Sequence, residues 1–256
     1  MNKNYRNLSW YNKISMLLNI STSLKEIHQK KMVHHDFHTG NILSNIAGAT
    51  NSIFYISDMG LCGDVSNNDQ NNIYGVMPYV APEVLKGELY TQAADIYSFG
   101  MIMYFVATGR QPFFNCAHDE LLVLNICSGI RPEINEPEAP KCYIDLMKQC
   151  WDSNPNNRPK AAEVFNLFMF LYLASDSNHA LKVNMGFEKE QHFEIQKQIK
   201  EAEECRRSHP VSFDGSTTLA HPQAIYKSRL LNPFTKNILK FDNIDNNTVE
   251  ITDFTK

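Results

Sequence analysis

The ten residues Met32–Asn41, MVHHDFHTGN, constrain this chain more than any other stretch of its sequence. They follow an amphipathic run and bring three imidazoles, one carboxylate and one amide together within His34–Asn41. Histidines and an aspartate at this density suggest a metal site as one interpretation. We disfavour it, because adjacent His34 and His35 cannot easily bind one ion with good geometry and no further His/Cys set lies nearby in sequence.

The spacing His-x-Asp-x-x-x-x-Asn, from His34 to Asn41, resembles the catalytic loop of protein kinases. In that family the aspartate accepts the proton of the substrate hydroxyl and the asparagine binds Mg²⁺. Three more kinase-like pieces follow in the family's order, namely Asp58-Met59-Gly60, Ala81-Pro82-Glu83 and Asp95-Ile96-Tyr97-Ser98-Phe99-Gly100. The resemblance to the protein kinase superfamily covers about residues 5–173.

Further segments narrow this resemblance. His38-Thr39-Gly40-Asn41 and Tyr97-Ser98-Phe99-Gly100 are similar to the tyrosine-kinase-like group of Ser/Thr kinases. The segments 221–226 and 232–234 resemble the tail of a large fungal expansion of that group. The resemblance implies ATP and Mg²⁺ as cofactors and a protein as the substrate.

The resemblance also implies roles at the site of phosphate transfer. Asp36 would be the base that orients and deprotonates the substrate hydroxyl, and Asn41 and Asp58 would bind Mg²⁺ through hard oxygen atoms. Leu43 would lie beneath the adenine ring. His38 stands where Ser/Thr kinases commonly have a lysine that helps at the γ-phosphate, and an imidazole is less often charged than a lysine. Taken singly, the loop Asp and Asn would be interpreted as turn formers and Leu43 as strand packing.

Other residues have structural roles in the resemblance. His34 would pack against the segment that begins at Asp58 and would bond to backbone. Asp95 would cap the backbone of the catalytic loop from the central helix. Glu83 and Arg158 would form a buried ion pair that fastens the activation segment to the large lobe, since an unpaired buried charge costs roughly 3–5 kcal/mol. The plain alternative for this pair is two charges on the surface.

Three further positions depart from the family pattern. His35 replaces an arginine that usually pairs with a phosphorylated residue of the activation loop, which puts control by such phosphorylation in doubt. Val76 replaces a threonine that hydrogen-bonds the base. Met59 replaces the phenylalanine of Asp-Phe-Gly, and we expect this exchange to be tolerated because methionine is apolar and adaptable.

Hydrophobic periodicity predicts a mostly helical fold, which the resemblance identifies as the C-terminal lobe (C-lobe) of a kinase with two short strand pairs flanking Asn41 and Asp58. A helix is expected at Trp10–His28 and a hairpin from Ile42-Leu43 to Ile53–Ile56. The segment from 60 to 79 lacks periodicity and is expected to be a mobile loop. Apolar residues on almost all sides predict a buried central helix at Ala93–Thr108. Three further helices are expected at Glu120–Cys127, Tyr143–Trp151 and Lys160–Leu173.

The chain changes character after about Ala174. Residues 188–207 are charge-dense, with i,i+4 pairs such as Lys197–Glu201, and predict a solvated helix. From Ser208 onward the sequence is polar and is expected to be disordered. We therefore divide the chain into a partial kinase domain at 1–173 and a charged helix with a disordered tail at 174–256, and the tail could bind protein partners.

Composition disfavours several classes of function. The net charge of −4 gives no basic footprint for nucleic acid or an anionic membrane. The six cysteines are scattered without a CxxC pair, which argues against structural zinc and for reduced thiols in the cytosol. The longest apolar stretches fall short of the roughly 20 residues of a membrane span. We expect a soluble, cytoplasmic protein.

The sequence ahead of the catalytic loop shapes the expected function. It contains no Gly-rich phosphate loop, Val-Ala-x-Lys strand or partner glutamate helix, and the 33 residues before His34 are too few for a small lobe. The chain would be a fragment, a truncated gene model or a natural one-lobed remnant. One hypothesis is a Ser/Thr protein kinase represented by its large lobe, which alone would bind ATP weakly and transfer phosphate at background rate. The other is a catalytically inactive, kinase-like scaffold.

Overall fold

The computed structural model describes residues 8–46, 52–58, 63–64, 72–134, 138–175, 189–208 and 220–236. The helices are α1 (Trp10–Gln29), α2 (Pro82–Leu85), α3 (Gln92–Thr108), α4 (Glu120–Cys127), α5 (Lys141–Cys150), α6 (Ala161–Ser175), α7 (Lys189–Ser208) and α8 (Asn232–Thr235). The strands are β1 (Met32–Val33), β2 (Ile42–Ile46), β3 (Ser52–Ile56), β4 (Gly63–Asp64), β5 (Tyr74–Gly75) and β6 (Arg229–Leu230). None of the helices in these ranges is long and apolar enough to cross a bilayer.

Helix α3 lies at the centre of the fold. Every residue from Ala94 to Ala107 is buried, which confirms the prediction from a sequence that is apolar on almost all sides. Phe99 of this helix packs on Phe37, in the loop after β1, and on Phe168 of α6, with ring centroids 6.5 Å and 5.7 Å away. The core therefore holds the loop that carries the candidate catalytic residues.

Two antiparallel strand pairs flank that loop, as predicted. β1 pairs with β4, and β2 pairs with β3 over five residues on each strand. The alternation along the β2–β3 hairpin gives it one inner and one outer face. Ile42 and Phe54 are buried on the inner face, whereas Leu43 and Tyr55 on the outer face are 56% and 48% exposed.

Helix α7 forms where the charged pattern predicts a helix, but one of its faces packs against the domain instead of being solvated. Ile199 and Ala202 are buried, and Ile195 packs partly against the same core. The Glu203 carboxylate accepts a hydrogen bond of 3.0 Å from the backbone N–H of Trp10 at the start of α1. Apolar residues four and three positions apart were enough to form a buried stripe, although charged residues fill the outer face.

The expectations of a mobile loop and a disordered tail are wrong for two described segments. Residues 74–75 form β5, the turn Met77–Tyr79 is buried, and residues 220–236 form β6 and α8. β5 pairs with β6, so each segment supplies backbone partners for the other. A ladder between segments so distant in sequence leaves no local periodicity to detect. Residues 59–62, 65–71, 209–219 and 237–256, and with them Met59, lie outside the described residues.

A buried lysine in α1 makes stability depend on pH. Lys13 is 2% exposed, and its ammonium group donates a 2.8 Å hydrogen bond to the carbonyl oxygen of Ala107 at the end of α3. Burial lowers the pKa of Lys13 to about 8, the Arg206 guanidinium adds to this shift, and the Glu203 carboxylate opposes it. Between this pH and the ordinary lysine pKa of 10.5, the unfolded chain holds a proton on Lys13 that the folded chain has lost.

We expect this titration to separate the wild-type chain from Lys13→Met. Stability rises with pH wherever the unfolded state binds more protons. From pH 8 to pH 10 the free energy of unfolding of the wild type should therefore increase relative to that of Lys13→Met. Urea denaturation of both proteins at several pH values measures the difference, in which the titrations of cysteines and tyrosines cancel. Parallel pH profiles for the two proteins would show that Lys13 keeps an ordinary pKa.

Candidate active site

The loop at 34–41 is held by α3 on one side and by the end of β3 on the other. Asp95 of α3 accepts a 2.9 Å hydrogen bond from the backbone N–H of His34, and the same carboxylate oxygen lies 2.9 Å from His28 Nε2. His34 Nε2 lies 3.0 Å from the carbonyl oxygen of Ser57, the residue before Asp58. His34 and Asp95 are fully buried and make the backbone contacts that the sequence predicts.

Asp36 and Asn41 form one hydrogen-bonded unit with the end of β3. The side-chain Nδ2 of Asn41 donates to the backbone carbonyl of Asp36 at 2.8 Å. The backbone carbonyl of Asn41 accepts from the N–H of Ser57 at 2.8 Å and from its hydroxyl at 3.1 Å. Ser57 adjoins Asp58, so the structure brings three sequence-predicted residues into one small region.

The side chains of Asn41 and Asp58 carry oxygen atoms of the kind that Mg²⁺ prefers. The Asn41 amide nitrogen is committed to Asp36, which leaves the amide oxygen for a cation, and the Asp58 side chain is exposed. Asp58 has a φ of 59°, in the left-handed region that few non-glycine residues adopt. Within the described ranges no cluster of three or more His, Cys, Asp or Glu side chains could hold a metal alone. Mg²⁺ commonly takes one or two protein ligands and completes its shell with phosphates and water.

His38 lies beside the Asp36 carboxylate. Its Nε2 is 3.6 Å from Asp36 Oδ2, and both side chains are buried. The backbone N–H of Gly40 donates to Nδ1 of His38 at 3.0 Å, so the ring proton is on Nε2 and faces Asp36. A Cβ at position 40 would lie 2.5 Å from His38 Cε1, so any larger residue there would displace the His38 ring from this position. Sequence reasoning missed Gly40, since this contact depends on the rotamer of His38.

Gly75 brings strand β5 close to the same carboxylate. Its φ is 147°, and a Cβ there would lie 2.7 Å from Val80 Cγ2 and 3.7 Å from Asp36 Oδ1. The neighbouring Val76 is buried and has no hydroxyl to offer the base. The sequence gives a glycine at this position but no sign of what it approaches.

A hydrogen-bonded triangle ties the loop at 34–41 to the turn at Met77–Tyr79. The Tyr79 hydroxyl donates to Gln111 Oε1 at 2.6 Å and lies 3.3 Å from Thr39 Oγ1, and Gln111 Nε2 donates to Thr39 Oγ1 at 3.3 Å. Burial raises the pKa of Tyr79, so this phenol stays a hydrogen-bond donor. No motif in the sequence indicated the triangle, because its members lie on three separate segments.

Glu83 and Arg158 form the ion pair that the sequence predicts. The two terminal nitrogens of Arg158 lie 2.6 Å and 2.7 Å from the two carboxylate oxygens of Glu83, and both side chains are almost completely buried. Arg158 also donates to the carbonyl oxygens of Asp152 and Ala93. Its guanidinium lies 5.3 Å from the centre of the Tyr97 ring, and burial raises the pKa of Tyr97 to about 12.

The structure also describes His35, one of the departures from the family pattern, and Leu43, the candidate residue beneath the adenine ring. His35 has a φ of 67°, and its ring packs against Tyr90 with centroids 4.9 Å apart. Leu43 shares the exposed outer face of the hairpin with Ile53 and Tyr55. The separation of the Asp36 and Asp58 carboxyl groups, expected to be under about 10 Å, stays a prediction.

Comparison with known proteins identifies the family. Residues 1–168, about two thirds of the chain, match the family model described as protein tyrosine and serine/threonine kinase. A probable serine/threonine-protein kinase of Dictyostelium discoideum is 27% identical over 153 residues, which are 60% of this chain and 11% of that protein.

Two other relatives agree. A putative serine/threonine-protein kinase/receptor of Acanthamoeba polyphaga mimivirus is 31% identical over 157 residues, 60% of this chain and 9% of that protein. A protein kinase and PP2C-like domain-containing protein of Arabidopsis thaliana is 30% identical over 182 residues, 57% of this chain and 27% of that protein. The chain thus spans less than a third of each of these relatives, and it belongs to the protein tyrosine and serine/threonine kinase family.

Proposed function

We propose that this chain carries the catalytic base and the Mg²⁺ ligands of an ATP-dependent protein kinase that phosphorylates serine or threonine. Asp36 is the base, and Asn41 and Asp58 are the ligands. The observation that carries the proposal is the hydrogen-bonded unit of Asp36, Asn41 and Ser57, because it holds together the backbone of Asp36, the amide of Asn41 and the residue before Asp58. Phosphoryl transfer depends mainly on such positioning and on charge stabilisation.

The proposed reaction uses Asp36 and His38, two of the buried polar side chains of the loop. The substrate hydroxyl oxygen bonds to the γ-phosphorus, the bond from that phosphorus to the β-phosphate oxygen breaks, and the hydroxyl proton passes to the Asp36 carboxylate. The Nε2–H of His38 points at the same carboxylate and orients it. Mg²⁺, when bound, neutralises charge on the phosphates. Serine or threonine as acceptor is supported by the names of the relatives in Dictyostelium and in the mimivirus.

We further propose that ATP lies between this chain and the small lobe of a kinase. Leu43, Ile53 and Tyr55 present exposed apolar surface next to Asn41, and such a patch commonly marks a binding site. An adenine ring would cover Leu43 from the open side. This chain without a small lobe would then bind ATP weakly.

Kinship with the tyrosine-kinase-like group, and with its fungal expansion, is proposed on the motifs at 38–41, 97–100 and 221–226. A cytoplasmic location is proposed from the thiols. In the part of the chain that the structure describes, no disulfide bond joins any of Cys116, Cys127, Cys142, Cys150 and Cys205, as expected in a reducing compartment.

Replacing Asp58 with alanine tests the metal assignment. The test uses the chain joined, ahead of Leu8, to the ATP-binding small lobe of a relative. Loss of one charged ligand contact should weaken ATP binding in Mg²⁺ by roughly tenfold or more. Calorimetric titrations with Mg²⁺ and with EDTA measure the effect, and Asp145→Ala, which removes an exposed aspartate of α5, is the matched control.

The Mg²⁺ dependence decides the outcome. We expect wild type and Asp58→Ala to bind ATP equally in EDTA and to differ only in Mg²⁺. Equal weakening under both conditions would mean that Asp58 does not act through the metal.

A further inference from the structure

The segment 220–236 covers the backbone of the activation segment beside the proposed base. β6 (Arg229–Leu230) pairs antiparallel with β5 (Tyr74–Gly75), so that Gly75 faces Arg229. The backbone N–H of Leu231 donates to the carbonyl of Ile73 at 2.7 Å, and the N–H of Ile73 donates to the side-chain oxygen of Asn232 at 2.8 Å. Both polar backbone groups of Ile73 are therefore used by this segment.

His118 anchors the same segment. The ring is buried, and its Nδ1 accepts a 3.1 Å hydrogen bond from the backbone N–H of Ile225. The carbonyl oxygen of His118 accepts a 2.6 Å hydrogen bond from the Arg229 guanidinium. Tyr226 packs edge-on against the His118 ring and donates its hydroxyl to the carbonyl of Pro112 at 2.9 Å.

Two adjacent leucines show how the segment is oriented. Leu231 is completely buried in the hydrophobic core, whereas Leu230, opposite Tyr74, is 37% exposed. The Arg229 guanidinium lies 4.5 Å from the centre of the Phe234 ring, which also packs partly against the core. The Leu231 side chain thus inserts into the core while the backbone of the segment runs along β5. This is the usual pattern when an extended peptide adds to a strand.

Strand β5 lies at the candidate active site. A Cβ at Gly75 would be 3.7 Å from Asp36 Oδ1, so the residue that pairs with Arg229 lies next to the carboxylate of the proposed base. A protein substrate must bring an extended stretch of chain to the same carboxylate. The edge of β5 that β6 occupies offers one row of hydrogen-bonding groups, and two peptides cannot pair with it at once.

We propose that Ile73–Gly75 and His118 form the docking surface for an extended segment of the protein substrate, and that residues 220–236 are its intramolecular occupant. The inference rests on the proposed function for the identity of the competing peptide. The contacts define the class of segment that fits. It carries a basic residue opposite Gly75 and, two positions later, an aliphatic residue in the pocket of Leu231. The residue after that carries an amide or carboxylate oxygen that accepts a hydrogen bond from the backbone N–H of Ile73.

The test uses the complete chain and a fluorescein-labelled synthetic peptide with the sequence of residues 220–236. Leu231→Asp places a charge in the buried pocket and should release the segment. Leu230→Asp puts the same charge on the exposed neighbour and is the matched control. Fluorescence anisotropy should show that Leu231→Asp binds the peptide more tightly than wild type or Leu230→Asp by roughly tenfold or more, the factor expected for one buried leucine.

Equal peptide binding by Leu231→Asp and Leu230→Asp, with both proteins folded by circular dichroism, would overturn the proposal. If Leu231→Asp does not fold, Asn232→Ala replaces it, since this variant removes the side-chain oxygen that bonds Ile73. We expect Asn232→Ala to bind the peptide more tightly than wild type, and equal binding would again overturn the proposal. Binding of this peptide needs neither ATP nor transfer, so it can fail or succeed independently of the kinase assignment.

An activity measurement shows whether residues 220–236 compete with the substrate or instead stabilise β5. In the version joined to a small lobe, release by Leu231→Asp should lower KM for a peptide substrate and leave kcat unchanged, because a competitor has been removed. A fall in kcat with KM unchanged would mean that residues 220–236 hold β5 in place. This result would contradict the proposal.

Discussion

Arg158→Ala is expected to lower the free energy of unfolding by roughly 3–5 kcal/mol. The substitution leaves the Glu83 carboxylate buried without its partner, and it removes the donor to the carbonyls of Asp152 and Ala93. An unpaired buried charge is far more costly than the loss of an exposed ion pair. Urea denaturation followed by circular dichroism measures the change.

The chain contains a matched control for this experiment. Lys141 and Asp145 of α5 are also 2.6 Å apart, but their side chains are 55% and 50% exposed. Lys141→Ala should therefore cost less than about 1 kcal/mol. Adding Glu83→Gln to Arg158→Ala should recover part of the loss, since no buried charge is then left. If Arg158→Ala destabilised the chain as little as Lys141→Ala, the ion pair would not fasten the activation segment.

Features that depend on local pattern could be predicted from the sequence. Helix α3 is apolar on almost all sides, and this is a local property that only a central helix satisfies. The spacing from His34 to Asn41 fixed which residues share the catalytic loop. The pairing of Glu83 with Arg158 came from family resemblance, since no local pattern joins residues so far apart in sequence.

Features that depend on distant backbone contacts could not be predicted. β5 and β6 have two residues each, too few for any alternation to show, and each is ordered by the other. The roles of Gly40 and Gly75 depend on the neighbours that a Cβ would meet, His38 and Val80, which only coordinates reveal. In α7 the signal was present but was outweighed by the density of charged residues.

Asp36→Asn is expected to reduce phosphoryl transfer by roughly 10²- to 10⁴-fold, the usual contribution of a general base. Asparagine has the same shape as aspartate but cannot take the hydroxyl proton. The exchange should leave the loop intact, because Asn41 bonds the backbone carbonyl of residue 36 and not its side chain. Asp145→Asn, on the exposed face of α5, is the matched control and should transfer phosphate at the wild-type rate.

The stability of the variants must be shown alongside their activity. Asp36 is buried, and His38 lies beside it, so a change at position 36 could act through the fold. We expect Asp36→Asn and wild type to unfold at similar urea concentrations and to bind ATP with similar affinity. Similar binding with lost transfer assigns the effect to the chemical step.

The most direct test of the kinase assignment is transfer of radiolabelled γ-phosphate from ATP to a protein substrate. The assay compares the chain alone, the chain joined ahead of Leu8 to a small lobe, and the joined chain with Asp36→Asn. The account predicts background transfer by the chain alone, robust transfer to serine or threonine by the joined chain, and loss of that transfer in Asp36→Asn. A joined chain that folds, binds ATP and still transfers no phosphate would contradict the account and would favour a catalytically inactive, kinase-like scaffold.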